Sequence, residues 1–333
     1  MKNINIIKTI EKFPGGMMVI PLLLGCVINT FCPGFLNYGG FTTKLFANAA
    51  SGTFVGLFIF CCGASINVKQ IGVPFYKGAV LTFTKFAVGV TIGVVVGKIW
   101  GPAGVFTITP LAIIAAITNS NSVLYSILAK NYGDSTDVGA VSVLALNDGP
   151  FFTMIALGLS GMADIPIQAI VAVLIPLLLG MLLGNLDEDV RDLCAKAMPL
   201  IIPFNGFTLG AGMNLKDVVA AGLPGIVLGL VSLLSTGFIC YWVYNLFFSR
   251  KRPSAVGAGL GTTAGNAVAT PPAIGEADAT LAPFAAAATA QVAAACVVTA
   301  LLCPLFTAWM NKRIEKKYGP KEAHQAEAKP AAG

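Results

Sequence analysis

The sequence predicts an all-α polytopic membrane protein with ten transmembrane helices, arranged as two inverted repeats of five helices. Three observations lead to this prediction: the composition, the recurrence of long apolar stretches, and a similarity between the two halves of the chain. Of 333 residues, 56% are hydrophobic and only 11% are charged, whereas about a quarter of a soluble domain is charged. Apolar stretches of about 20 residues, each long enough to cross a bilayer as a helix, recur along the whole length.

Glycine, proline and charged residues divide the apolar stretches into ten predicted spans. In chain order these are residues 14–31, 44–65, 75–99, 104–130, 137–161, 165–185, 197–214, 223–248, 255–275 and 281–310. If the N-terminus is cytoplasmic, the outside segments hold only Lys44, Lys98 and Lys216, and the other basic residues outside the spans lie inside. Because Lys and Arg are enriched in cytoplasmic loops, this distribution supports the count of spans and places both termini in the cytoplasm. The positive net charge therefore reflects orientation in a lipid bilayer, and no nucleic-acid partner is expected.

Two short matches relate the halves of the chain. IPLLLG at 20–25 recurs unchanged at 175–180, and GASINVK at 63–69 is echoed by GAGMNLK at 210–216. Matches in the same order indicate a duplication. An odd number of spans per copy makes the second copy cross the membrane in the opposite direction, which is the arrangement of many secondary transporters. The chain then divides into a first repeat, a second inverted repeat and a charged cytoplasmic tail that we expect to be disordered: 1–161, 162–312 and 313–333.

A polar cluster interrupts the fourth span, and the repeat supplies its counterpart in the ninth. TNSNSV at 118–123 aligns with TAGNAV at 263–268. Non-helical backbone at membrane depth persists only where protein or a water-filled cavity satisfies its polar groups. We therefore predict that helices four and nine are discontinuous crossing helices whose breaks face each other near the midplane. The N-terminal ends of the half-helices suit an anion, and Asn and Thr side chains suit hydroxyls and carbonyls.

The predicted substrate-binding residues are those of the two breaks together with one lysine of the third span: Thr118, Asn119, Ser120, Asn121, Thr263, Asn266 and Lys85. For a single Ser or Thr, the alternative is a hydrogen bond that only holds two helices together. The match of Asn121 with Asn266 across the repeat favours a binding site.

Lys85 and Asp148 lie inside the third and fifth predicted spans. Since a lysine there costs at least ~2.5 kcal/mol on insertion scales, Lys85 should point into the bundle, and Asp148 is its obvious partner. Three roles are open. The two residues form a static ion pair; or Asp148 carries a coupling proton while Lys85 holds it or the substrate carboxylate; or Asp148 ligates Na⁺ with Asn147 and the Asn/Thr cluster. The predicted ion-coupling residues are thus Asp148 and Asn147.

Other polar residues carry weaker expectations. We expect Glu276 and Asp278 to be solvated charges of an outer loop, and Gln291 to be either a site residue or a structural hydrogen-bonding residue. The eight Cys show no CxxC spacing, and the only histidine, His324, lies in the tail. No metal site, cofactor or disulfide framework is implied. Because no catalytic set is present, an enzyme is not expected.

Six segments have a distinctive sequence: KFPGGMMVIPLLLG at 12–25, FCCGASINV at 60–68, TFTKFAVGV at 82–90, GPFFTMIALGLSG at 149–161, LLGNLDEDVRD at 182–192 and AGNAVATPPAIGEAD at 264–278. They resemble the 2-keto-3-deoxygluconate permease family, within a broader group that includes bile acid:sodium symporter-like carriers. The resemblance covers nearly the whole chain in the same order. It implies proton-coupled symport of 2-keto-3-deoxygluconate, or a closely related sugar acid, into the cell across the bacterial inner membrane. It also implies a core bundle that moves against a panel formed by spans one, two, six and seven.

One feature departs from the family pattern. We expect a Glu in the turn before Gly-Pro, whereas this chain has Asn147 and Asp148, which also resembles the pattern of sodium/proton antiporters of related architecture. A cation/proton antiporter and a sodium-coupled organic anion symporter are therefore the alternatives, with Na⁺ in place of H⁺ as coupling ion in the latter. The expected partners are an anionic sugar acid and the lipid bilayer, with a homodimer left open.

Overall fold

The computed structural model describes residues 5–12, 16–68, 72–145, 149–249 and 252–319, with the backbone alone for Asp217. These residues form helices and the segments that connect them, and they include no strand. The helices are α1 Ile6–Ile10, α2 Gly16–Phe31, α3 Gly40–Phe46, α4 Ser51–Ser65, α5 Val73–Trp100, α6 Pro110–Thr118, α7 Ser122–Tyr132, α8 Ser135–Gly139, α9 Val141–Leu144, α10 Pro150–Leu159, α11 Ile167–Leu186, α12 Glu188–Gly210, α13 Leu215–Phe248, α14 Thr270–Ala277 and α15 Ala282–Tyr318. Short 3₁₀ helices lie at Asn48–Ala50, Val256–Leu260 and Gly265–Ala269.

Within the described residues, six helices are long and apolar enough to cross a membrane, and a seventh span results if the bent pair α6 and α7 is counted as one. Large apolar side chains stand exposed along these helices, among them Phe83, Leu182, Leu246 and Leu305. Soluble proteins rarely expose apolar surface of this extent, whereas a lipid-facing surface requires it. The chain is a multi-pass membrane protein. The described residues of the predicted fifth span form three helices, α8, α9 and α10, and residues 146–148 lie outside the described part.

The helices form two bundles. We call α2, α4, α11 and α12 the panel, and α5 to α10 with α13 to α15 the core. Within the panel, α2 packs on α12 and α4 packs on α11, while α13 and α15 form the largest contact of the core. Each panel pair therefore joins one helix from each half of the sequence.

Glycines let the panel helices approach to backbone contact. A Cβ at Gly180 would lie 2.0 Å from the carbonyl oxygen of Phe60, and one at Gly210 would lie 1.9 Å from that of Leu22. Gly180 ends the IPLLLG match and Gly210 begins the GAGMNLK match. Residues that the two sequence matches share thus perform the same packing task in the two helix pairs.

Gly180→Ala is expected to lower the melting temperature of the purified protein, because the added carbon meets backbone atoms that must shift. Overpacking of this kind costs about 1–3 kcal/mol. The matched control is Gly222→Ala on α13, where an added Cβ meets nothing within 4 Å. The control should keep or slightly raise the melting temperature, since Ala favours a helix over Gly. Equal melting temperatures for the two variants would contradict the close approach of α4 and α11.

An ionic cluster at one end of the core consists of the buried residues Lys77, Asp137 and Tyr244 and the exposed Asp134. Lys77 Nζ donates to Asp137 Oδ1 at 2.7 Å, to Asp134 at 3.3 Å and to the Tyr244 hydroxyl at 3.0 Å. The Tyr244 hydroxyl in turn donates to Asp137 Oδ1 at 2.8 Å. Burial alone would raise the pKa of Asp134, but the Thr136 hydrogen bond and the Lys77 charge outweigh it and lower that pKa. The cluster ties α5, α8 and α13 together.

Candidate functional site

The first predicted break is present between α6 and α7, which are bent by 42°. Asn121 is the N-cap of α7, and its Oδ1 accepts a hydrogen bond from the Leu124 N–H at 2.9 Å. Asn favours this position because its side-chain oxygen satisfies an N–H that the helix leaves unpaired. Asn121 therefore starts a new helix in the middle of an apolar segment.

The second predicted break is also present. The 3₁₀ helix Val256–Leu260 ends, residues 261–264 are non-helical, and the 3₁₀ helix Gly265–Ala269 then leads into α14. The predicted ninth span is therefore discontinuous, like the fourth.

The two breaks contact each other directly. The Asn121 N–H donates to Thr262 Oγ1 at 3.1 Å, and Thr262 is fully buried. The prediction that the breaks face each other is confirmed, with Thr262 as the bridging residue. Thr262 is absent from the predicted set because the repeat alignment selected its neighbour, Thr263.

A cavity of about 170 Å³ lies where the breaks meet the panel. We call it the central cavity. Its core side includes Ser120, Asn121 and Asn266, and its panel side includes Met18, Phe58 and Asn205. A ligand in this cavity would contact both bundles at once.

Three side chains of the central cavity present buried polar atoms that accept or donate no hydrogen bond within the described part of the chain. They are the hydroxyl of Ser120, Oδ1 of Asn205 and Nδ2 of Asn266. A buried polar atom without a partner costs about 1–3 kcal/mol, so three around one cavity call for an explanation. The set comprises one acceptor, one donor and one hydroxyl that does either. Such a set matches a ligand that carries several hydroxyl and carbonyl groups.

Thr118, Asn119 and Thr263 are buried next to the central cavity but do not line it. Asn119 Nδ2 donates to the Ala115 carbonyl at 2.8 Å, and its Oδ1 accepts from the Gly149 N–H at 2.9 Å. The Thr118 hydroxyl donates to the Ile114 carbonyl at 2.7 Å. In this conformation these side chains form hydrogen bonds with backbone groups near the first break and do not face the cavity.

Thr263 anchors the second break to neighbouring helices. Its backbone N–H donates to the Thr299 hydroxyl at 2.9 Å, and its own hydroxyl lies 3.3 Å from that of Ser232. These hydrogen bonds fix the non-helical residues between the two 3₁₀ helices.

Lys85 is fully buried and reaches the second break. Its ammonium donates to the Leu260 carbonyl at 2.8 Å and also to the Thr262 carbonyl. The predicted ion-coupling residues Asp148 and Asn147 lie outside the described residues.

Asn205 is absent from the predicted set. It stands alone as a polar side chain in the apolar stretch LIIPFNGF of α12, which is a signal that the sequence offers. The repeat hides this signal because the matched position in α4 is Phe58. Both residues nevertheless line the central cavity.

Two further cavities lie between panel and core. A cavity of about 320 Å³ touches Ser51 and Val55 in the first half of α4 and reaches α14. A cavity of about 490 Å³ touches Cys62 and Ser65 in the last half of α4 and reaches α7. We call them the first and second lateral cavities. The second shares Phe58 and other residues with the central cavity, so the site opens toward the C-terminal end of α4.

The other polar residues considered in the sequence, Glu276, Asp278 and Gln291, lie in different environments. Glu276 is exposed, as expected, but it lies in α14 and not in a loop, whereas the expectation for Asp278 is wrong because its side chain is buried. Asp278 accepts hydrogen bonds from the Asp164 N–H and from Thr280. Burial would raise the pKa of Asp278, but these hydrogen bonds outweigh it and lower that pKa. Gln291 is a structural residue, since its Oε1 accepts from the Thr109 N–H at 3.2 Å.

Two facing broken helices, a small cavity with three unsatisfied polar atoms and wider cavities toward opposite ends of the panel are features of a membrane transporter. The family model for 2-keto-3-deoxygluconate permease matches residues 7–316, and this chain belongs to that family. The resemblance stated from the sequence is thereby confirmed. Permeases are transporters, so the protein is not an enzyme.

Comparisons with individual proteins agree with this assignment. The chain is 50% identical over 311 residues to 2-keto-3-deoxygluconate permease 1 of Salmonella typhimurium, covering 93% of this chain and 96% of that protein. It is 39% identical over 315 residues to the 2-keto-3-deoxygluconate permease of Bacillus subtilis, covering 93% and 94%. The structure of the sodium proton antiporter MjNhaP1 from Methanocaldococcus jannaschii matches with a TM-score of 0.57 at 11% identity, covering 92% and 94%. At that identity the likeness concerns the fold alone.

Proposed function

We propose that this protein is a secondary active transporter that takes up 2-keto-3-deoxygluconate, or a closely related sugar acid, together with protons. The observation that carries the proposal is the central cavity with its three unsatisfied polar atoms, contributed by both bundles. The identity of the solute is inferred from the names of the relatives, which are 2-keto-3-deoxygluconate permeases. The proposed location is the bacterial inner membrane, with both termini in the cytoplasm.

The central cavity can recognise each part of a sugar acid. Nδ2 of Asn266 donates to a keto or carboxylate oxygen, and Oδ1 of Asn205 accepts from a hydroxyl. The N-terminal end of α7, which begins beside Ser120 and Asn121, carries partial positive charge and favours the carboxylate. Hydrogen bonds from both bundles would hold the core against the panel while the solute is bound.

Alternating access follows from movement of the core against the panel. We assign ten membrane spans in two inverted repeats of five, in which the lateral cavities approach the two broken helices from opposite sides. With a cytoplasmic N-terminus, the C-terminal end of α4 lies inside, so the described conformation faces inward. The first lateral cavity then becomes the outer access route when the second closes.

We assign the coupling proton to Asp148, with Asn147 beside it. Protonation from outside would neutralise the carboxylate, and a neutral group crosses a low-dielectric barrier at lower cost than a charged one. Deprotonation on the cytoplasmic side would accompany release of the solute.

The test is uptake of labelled 2-keto-3-deoxygluconate into proteoliposomes under an imposed pH gradient or Na⁺ gradient. We expect accumulation driven by the pH gradient, and we expect Asp148→Asn to reduce it to the level of protein-free liposomes. Asp189→Asn, at an exposed carboxylate near the start of α12, is the matched control and should retain uptake.

Other results of this uptake experiment would test the solute, the coupling ion and the role of Asp148 separately. No uptake under either gradient would remove the solute assignment. Accumulation driven by Na⁺ alone would replace the proton by Na⁺. Full pH-driven accumulation by Asp148→Asn would remove the role of Asp148.

A further inference from the structure

The second break presents two backbone carbonyl groups, those of Leu260 and Thr262, whose partial negative charge suits a cation. The 3₁₀ helix Val256–Leu260 stops at Gly261, and the next residues are non-helical, so Leu260 and Thr262 lie beyond regular helical hydrogen bonding. The C-terminal end of a helical segment carries partial negative charge. Both carbonyl groups face a dry environment, because Leu260 and Thr262 are fully buried. Buried carbonyl groups of this kind need a donor or a bound cation.

The donors come from two other helices of the core. Lys85 of α5 donates to both carbonyl oxygens, and the hydroxyl of Thr236 on α13, which donates to the Ser232 carbonyl at 2.7 Å, also lies 3.1 Å from the Leu260 carbonyl oxygen. Both side chains are fully buried. The ammonium group of Lys85 therefore sits at a point where backbone oxygens converge.

The first break satisfies its carbonyl groups with uncharged side chains. Asn119 Nδ2 donates to the Ala115 carbonyl, and the Thr118 hydroxyl donates to the Ile114 carbonyl. The repeat aligns Asn119 with Ala264, so the second break lacks the equivalent amide. At the second break, the charged ammonium group of Lys85 donates the hydrogen bonds instead, so the two breaks differ in charge.

We propose that Lys85 is a tethered cation that fills a Na⁺ site formed by the carbonyl groups of Leu260 and Thr262, and that it makes transport independent of Na⁺. Unwound backbone carbonyls and half-helix C-terminal ends coordinate Na⁺ in transporters with discontinuous helices. An ammonium group supplies the same charge and donates up to three hydrogen bonds. The proposal rests on the proposed transport function and names the monovalent cation site within it.

The test asks whether removing the lysine creates a Na⁺ site. In a purified Lys85→Ala protein, replacing choline by Na⁺ should raise the melting temperature by about 2–4 °C, because Na⁺ binds the folded state. The wild type and the control Lys98→Ala, at the exposed end of the same helix, should not respond. In proteoliposomes, Lys85→Ala should transport only with Na⁺, and K⁺ should not substitute.

If Lys85→Ala folds neither in Na⁺ nor in choline, Lys85→Ser is measured in the same way, since its short side chain leaves the two carbonyl groups open to Na⁺. A folded variant that is no more stable in Na⁺ than in choline would overturn the proposal. Na⁺-dependent uptake by the wild type would also overturn it. The melting measurement uses no sugar acid, so its result is independent of the solute assignment.

Discussion

Asn205→Leu is expected to weaken sugar-acid binding by about 10- to 100-fold, as measured by isothermal titration with the purified protein. The reason is that Oδ1 of Asn205 is the unsatisfied acceptor on the panel side of the central cavity. Without it, a ligand hydroxyl would be buried without a partner. The unliganded protein should be at least as stable as the wild type, because leucine removes a buried polar atom that has no partner.

The matched control is Thr208→Val on the same helix. Thr208 is buried, and its hydroxyl donates to the carbonyl groups of Phe204 and Asn205 at 3.0 Å within the helix. The control should bind sugar acid like the wild type. Unchanged affinity in Asn205→Leu would remove the panel from the binding site.

Lys77→Met is expected to destabilise the protein by about 3–5 kcal/mol, because it leaves a buried carboxylate without its cation. Asp137 is only 1% exposed, and the Lys77 ammonium lies 2.7 Å from its Oδ1. The readout is the free energy of unfolding, or the melting temperature where unfolding is irreversible. Adding Asp137→Asn to Lys77→Met should recover most of the loss, since the pair is then removed together. A loss below about 1 kcal/mol, the range of exposed ion pairs, would contradict the burial of the cluster.

The breaks were predictable because their signals are local. Polar residues and glycines interrupt apolar segments, and the duplicated segment provides a second copy for comparison. Which atom of each side chain faces the cavity depends on the path of the backbone through the break. Ser120, Asn121 and Asn266 line the central cavity, while Thr118 and Asn119 direct their side chains into the first break.

Contacts between distant parts of the chain were harder to predict. The apolar sequence around Asn205 does not indicate that α12 lies beside both breaks, because that position depends on how the panel packs on the core. Lys85 was correctly expected to point into the bundle. Its contacts with two backbone carbonyl groups were not predictable, because every residue carries a carbonyl group and the sequence does not mark which one lacks a helical partner.

The proposed binding site of the sugar acid is the central cavity, between the two breaks and the panel. The most direct measurement is an experimental structure of the protein with 2-keto-3-deoxygluconate bound. We expect density for the solute within hydrogen-bond distance of Ser120, Asn205 and Asn266. Solute density confined to either lateral cavity, with these three side chains not in contact with it, would show that the central cavity is not the binding site.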